Sequence, residues 1–206
     1  GAGSPTTAIT AGLDGLWLAL GLGAIAAAVV TAAADPLTAA FGASAAAQEQ
    51  ATTYLRIGAL GLPPMLVLLA VTGALRGLLD TRTPMLVAVA GFAVNIALNL
   101  AFVHGFHWGI AGSAWGTVIA QTGMALALTA VLLRKARATH APLRPHPGRV
   151  LAAARNGIPL VVRTLALRGA ILLTVWAAAV LGDAPLAAHQ IAATVWSFLA
   201  FALDAL

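Results

Sequence analysis

The stretch PMLVAVAGFAVNIALNLAFVHGFHWGIAGSAWGTVIAQTGMALALTAVLLRKAR, residues 84–137, decides the fold. It contains two apolar blocks, 85–104 and 110–133, separated by a short glycine-bounded break at 105–109. A helix needs roughly 20 such residues to cross about 30 Å of hydrocarbon, and both blocks meet that length. The second block runs directly into Arg134, Lys135 and Arg137. A greasy run ended by cations is the pattern of a span leaving a membrane.

Working outward, four more blocks of the same kind lie at 13–34, 53–79, 157–181 and 186–206. Polar or helix-breaking residues bound them: Asp35-Pro36, the turn at 80–84, the proline-rich basic stretch after 133, and residues 183–185. The alternation of apolar and polar positions that a lipid-facing barrel strand shows is absent. Helices are then the remaining way to satisfy the backbone in lipid. The expected fold class is all-α, a polytopic transmembrane helical bundle with six spans. Composition agrees: of 206 residues 61% are hydrophobic and 8% charged, with a mean hydropathy of +0.95. An ordinary soluble domain carries about a quarter charged residues.

The cations set the orientation. Arg76, Arg82, Arg134, Lys135, Arg137, Arg144, Arg149 and Arg155 flank the second and fourth connections, which share one side by parity of crossing. The connections at 36–50, 105–109 and 182–185 contain no Lys or Arg. The positive-inside rule places the basic side in the cytoplasm, and both termini with it. This orientation also accounts for the net charge of +5 without a nucleic-acid partner, although anionic lipid headgroups can contact the basic loop. With no cysteine there is no disulfide or thiolate–metal chemistry to consider.

The chain begins GAGSPTT, without Met or a signal-peptide pattern, and stops inside an apolar run. It reads as an internal piece of a longer bundle whose remaining helices are its nearest partners. Residues 134–156 read as a basic cytoplasmic linker between four preceding helices, 1–133, and two following ones, 157–206.

Several polar groups fall inside the spans. Asn95 and Asn99, four residues apart, share one face of the third helix, and Thr117 and Gln121 share a face of the fourth. Such groups either hold the bundle together by hydrogen bonding or wall a polar cavity for a substrate or cation. Arg163 lies about 9 Å into the fifth span, within snorkelling reach, whereas Arg168 lies about 16 Å in and needs a protein or cavity environment. Asp204, near the far end of the sixth span, is at a depth similar to Arg163, so an ion pair between them is geometrically possible. His189 reads as an interfacial or hydrogen-bonded residue, and Tyr54 and Arg56 as outer-interface anchors. Pro63-Pro64 removes backbone hydrogen bonds within the second span and is expected to bend it. HExxH, G-x-S-x-G and P-loop motifs are missing, so an enzyme or an ATP-driven pump core is not expected.

The string GALRGLLDTRTPM, 73–85, resembles the turn after the fourth helix of multidrug and toxic compound extrusion (MATE) transporters. The pair at Asn95 and Asn99 and then GIAGSAWGTVIAQ, 109–121, follow at matching distances. NGIPLVVRTLALRGAILLT and LGDAPLAAHQIAATVWSFLAFALDAL resemble the seventh and eighth helices of the branch named for DNA-damage-inducible protein F.

The resemblance implies helices three to eight of a two-lobe, twelve-helix transporter in the inner cell membrane. Such a protein exports small amphipathic, often cationic, molecules by alternating access, driven by H⁺ or Na⁺ and without a cofactor. Several relatives carry Asp where Asn99 stands, and Asn99 cannot titrate. Arg163 and Asp204 match branch-typical polar positions. A lipid-linked precursor flippase of the same superfamily, using Arg163 and Arg168 on a pyrophosphate, and a non-transporting scaffold are the alternative readings.

Overall fold

The computed structural model describes residues 5–40, 44–143, 145–180 and 183–204. It consists of helices α1 (Pro5–Ala39), α2 (Ala45–Ala59), α3 (Leu62–Gly77), α4 (Arg82–Leu100), α5 (Gly109–Ala138), α6 (Pro147–Val180) and α7 (Asp183–Asp204). A π-helical turn, Ala101–Gly105, extends α4. No strand occurs among the described residues. Helices α1, α4 with its π turn, α5 and α6 are each long and apolar enough to cross a membrane, and α2 with α3 forms one further span bent by 42°. The protein is therefore a multi-pass, all-α membrane protein. Helix α7 covers the sixth block as far as Asp204.

At the end opposite the basic loops, two boundaries differ from the sequence expectation. Asp35-Pro36 does not end the first span, because α1 runs through it to Ala39. The Thr38 hydroxyl donates to the Ala34 and Asp35 carbonyls and sustains that last turn although Pro36 supplies no amide. The second span starts eight residues earlier than expected, because its outer half, α2, is polar: Gln48, Glu49, Gln50, Thr52 and Thr53 interrupt the apolar signal without interrupting the helix.

The bend itself falls where the prolines require it. Pro63 and Pro64 have no N–H, so the carbonyls of Ala59 and Leu60, one turn earlier, have no intrahelical donor. Helix α2 closes through short turns, Leu60 N–H to Ile57 and Gly61 N–H to Gly58, and α3 restarts with Met65 N–H on Gly61. Proline at the first positions of the new helix loses nothing, because those amides would be orphans anyway.

By contacts the chain divides into two units, Gly1–Ala154 and Arg155–Leu206. In the first, α1, α3 and α5 contribute stripes at three- and four-residue spacing: Ile9, Leu13 and Leu16, then Val67, Val71 and Leu75, then Leu128, Leu132 and Ala136. Helix α1 packs so closely on α3 that a Cβ on Gly23 would lie 2.5 Å from the Pro63 Cα. In the second unit, Leu160, Val161, Leu165 and Leu172 are exposed along α6, an apolar surface suited to lipid or to other helices.

Helices α3 and α5 end in the same way at the basic side. In each, two amides fold back across a residue in the left-handed region, Leu79 (φ 62°) and His140 (φ 51°). Asp80 N–H reaches Leu75 and Leu79 N–H reaches Arg76; Ala141 N–H reaches Ala136 and His140 N–H reaches Arg137. Both are Schellman caps. The stretch 134–156, expected to be a linker, is thus largely helical: α5 continues to Ala138 and α6 begins at Pro147. Residue Ala141, between them, is buried in the core. Arg144 lies outside the described residues.

Candidate functional site

Helix α3 spans 16 residues, so the break above it stands about 24 Å from the basic end. On α5, Gln121 is 17 residues from Ala138, about 26 Å by the same rise, which puts its amide level with the break. The two meet. A Cβ on Gly61 would lie 2.7 Å from Gln121 Oε1, so glycine at the break lets the amide sit there without shifting. Beside them is a cavity of about 360 Å³ whose wall includes Val30 of α1, Tyr54, Gly58 and Met65 of the bent span, and Thr117 and Gln121 of α5. Among the described residues, no charged side chain lines it.

Its polar groups are few and distinct in kind. The Thr117 hydroxyl donates to the Ser113 carbonyl at 3.0 Å, which leaves its oxygen able to accept. Tyr54 contributes a phenol, and the break contributes the carbonyl of Ala59, which the residue order deprives of its helical donor. Gln121 makes no side-chain hydrogen bond among the described residues, although an amide without a partner at this depth is penalised. A neutral, mostly apolar chamber with an open amide is suited to a ligand that supplies the missing hydrogen bond.

The expected set does not stay together. Asn95 and Asn99 lie on α4, where the Asn99 amide donates to both the backbone carbonyl and the side-chain oxygen of Asn95. The two side chains bond to each other, and Asn99 faces Gly116, where a Cβ would lie 3.0 Å from Asn99 Nδ2. Gly116 and the Thr117–Gln121 pair point to different faces of α5, so the asparagines line the α4–α5 seam and not the cavity.

In the second unit, Arg163 and Arg168 are exposed on α6, and neither forms an ion pair among the described residues. The side chain of Asp204, and with it the expected pair to Arg163, lies outside the described residues. His189 Nε2 is 3.2 Å from the Thr174 hydroxyl, in keeping with a hydrogen-bonded residue, while its Nδ1 is shielded and unpartnered.

Three charged groups acquire partners that sequence reasoning did not assign. Asp14, buried in α1, accepts from Arg149 Nε at 2.7 Å. Its signal was available: a carboxylate inside the first apolar block requires a cation. At the opposite end, Arg56 pairs with Asp35 at 2.6 Å, with both side chains more than half exposed, so this bridge adds only about 0–1 kcal/mol.

Asp80, in the motif at 73–85, joins three helices. Its backbone amide closes the α3 cap, one carboxylate oxygen accepts from Thr83 N–H at the start of α4, and the other meets Lys135 of α5 at 3.0 Å. The Lys135 ammonium, and after it the Thr83 hydroxyl and amide, hold the Asp80 carboxyl below its usual pKa.

Residues 1–101 match the protein family described as MatE. The chain is 38% identical to Protein DETOXIFICATION 43 of Arabidopsis thaliana across 69% of its own length and 27% of that protein. It is 32% identical to DNA damage-inducible protein F of Escherichia coli strain K12 across 99% of its length and 45% of the relative. With a probable multidrug resistance protein NorM of Pseudomonas putida it shares 30% identity across 89% and 42%. The chain thus spans less than half of each of these relatives. Its fold superposes on a crystal structure of MATE in the bent conformation with a TM-score of 0.74, at 24% identity, over 89% of this chain and 48% of that one.

Proposed function

The chain belongs to the MatE family, and from that premise we propose that it is part of an exporter of amphipathic compounds, whose first lobe receives them in the cavity at the bent span. The observation that carries this reading is Gln121: an unpartnered amide, level with a proline-made helix break, opening into a chamber of about 360 Å³. The uncharged wall takes the apolar and hydrogen-bonding part of a substrate and leaves any cationic group to be matched elsewhere. Substrate would donate to Gln121 Oε1 or the Thr117 oxygen, or accept from the Gln121 amide or the Tyr54 phenol.

Transport follows if affinity for substrate and for a coupling ion differs between two openings of the protein, since a ligand shifts an equilibrium only through differential binding. We assign the coupling ion as H⁺ or Na⁺. The oxygens of Asn95 and Asn99 on the α4–α5 seam, and separately those of Thr117 and Gln121 at the cavity, are ligands of the kind that a hard cation accepts, whereas a coupling proton would be carried by another group. The inner cell membrane, with the basic end cytoplasmic, is the location that fits the charge distribution.

Gly58 provides the test. It lines the cavity, and a Cβ there meets nothing within 4 Å, so Gly58→Leu fills the chamber without displacing backbone. In cells expressing the protein, Gly58→Leu and Gln121→Leu are each expected to reduce efflux of an amphipathic fluorescent dye at least about tenfold, a change equal to about 1.4 kcal/mol, at unchanged membrane levels. Full efflux in both variants would refute the assignment of the cavity.

A further inference from the structure

The connection between α5 and α6 is a strap, and we infer that Asp14 is the residue that positions it. Asp14 Oδ2 accepts from Arg149 Nε at 2.7 Å, and its Oδ1 is 3.5 Å from the His146 backbone N–H. Three residues along α1, on the neighbouring face, Trp17 Nε1 donates to the Leu143 carbonyl at 3.3 Å. Ala141 is 6% exposed and shares the buried cluster of Leu13, Leu132 and Ala136. Four attachments therefore bind residues 141–149 to the end of the first unit, and three of them involve α1.

The Asp14 side chain is 5% exposed, the Arg149 side chain 46%. A carboxylate so enclosed is heavily penalised when its cation leaves, whereas the half-exposed arginine is not. The penalty falls on α1, so the pair stays closed and the strap remains a fixed part of the first unit. Lys135, in the last turns of α5, is engaged by Asp80 and does not compete. The His146 carbonyl in turn accepts from Arg149 and Val150 N–H and starts α6, so Asp14 sets the place at which that helix begins. Residues 141–149, expected from sequence to belong to a linker, are thereby part of the first unit.

Hydrogen exchange of the protein in lipid nanodiscs tests this without reference to transport. The amides of Ala141, His146, Arg149 and Val150, each with an acceptor, are expected to be protected in the wild type. Asp14→Asn and Arg149→Met should each accelerate their exchange at least tenfold while α3 amides between Val67 and Leu75 stay unchanged. Asp14→Leu combined with Arg149→Met replaces the pair by apolar groups and should restore protection to within about threefold. An unprotected strap in the wild type, unchanged exchange in Asp14→Asn, or loss of α3 protection together with the strap would each overturn the inference.

A second arm concerns the working protein and rests on the transport reading. Because the chain has no cysteine, Trp17→Cys with Leu143→Cys can be bridged selectively by a short bis-methanethiosulfonate reagent. Bridging is expected to leave dye efflux within twofold of the unbridged form. Efflux abolished by bridging and restored by reduction would show that the strap must detach, and would contradict a fixed strap even if the exchange result held.

Discussion

Asp80 shows how one side chain turns a sequence motif into a junction. The motif at 73–85 was legible as a turn, but not as the point where α3, α4 and α5 are tied, because Lys135 lies 55 positions away in sequence. The same limit hid the pairing of Asp14, whose cation is 135 residues distant. Local chemistry identifies which residues need a partner; only the packing of helices says who supplies it. The pairing of Asp80 has a pH consequence. Its folded-state pKa is lowered from 3.8, so its contribution to stability is fully present above the unfolded value and is lost as pH falls through the folded one. Thermal unfolding in detergent, followed from pH 7 to pH 3, should show a smaller acid-induced decrease in Asp80→Asn than in the wild type. Equal decreases would mean that the Lys135 and Thr83 contacts do not favour the ionised form.

The bend in the second span was foreseeable from Pro63-Pro64, and the structure adds why the helices can meet around it. The length of the apolar blocks located all six helical stretches, but it truncated the second, since a polar half-helix near the outer face carries no hydropathy signal, and it began the fifth ten residues after Pro147, where α6 starts. The amide set was only partly legible. Spacing put Asn95 with Asn99 and Thr117 with Gln121 correctly, but not the direction in which each pair faces, which is fixed by where Gly61 and Gly116 permit close approach. Glycines on α1 separate these effects. Gly23 is pressed against Pro63, whereas a Cβ on Gly21, two residues away, would meet nothing within 4 Å. Gly23→Leu should destabilise the protein by about 1–3 kcal/mol through overpacking. Gly21→Ala should stabilise it by up to about 1 kcal/mol through helix propensity. Equal shifts in the thermal midpoint of the two variants would contradict the α1–α3 crossing described above.

Over the whole molecule, the polar character is distributed by level. Lys135 and Arg149 are neutralised by Asp80 and Asp14, while Arg76, Arg82, Arg134 and Arg137 remain exposed at the same end of the first unit. The Asp35–Arg56 bridge and the polar face of α2 occupy the other end, and the cavity lies between, nearer the latter. Composition and charge asymmetry were enough to read a multi-pass bundle, because hydrocarbon constrains a chain more severely than water does. The cavity was not legible as a volume, since it depends on four helices, α1, α2, α3 and α5, brought together by packing.

Which side of the membrane each level faces, including that of Gln121, rests on the basic end being cytoplasmic. Single cysteines at Ala47, exposed on α2, and at Ala138, exposed at the end of α5, report that orientation directly on the cysteine-free background. In intact cells a membrane-impermeant maleimide should label Ala47→Cys at once and Ala138→Cys only after permeabilisation. The reverse pattern, or labelling of both from one side, would contradict the account.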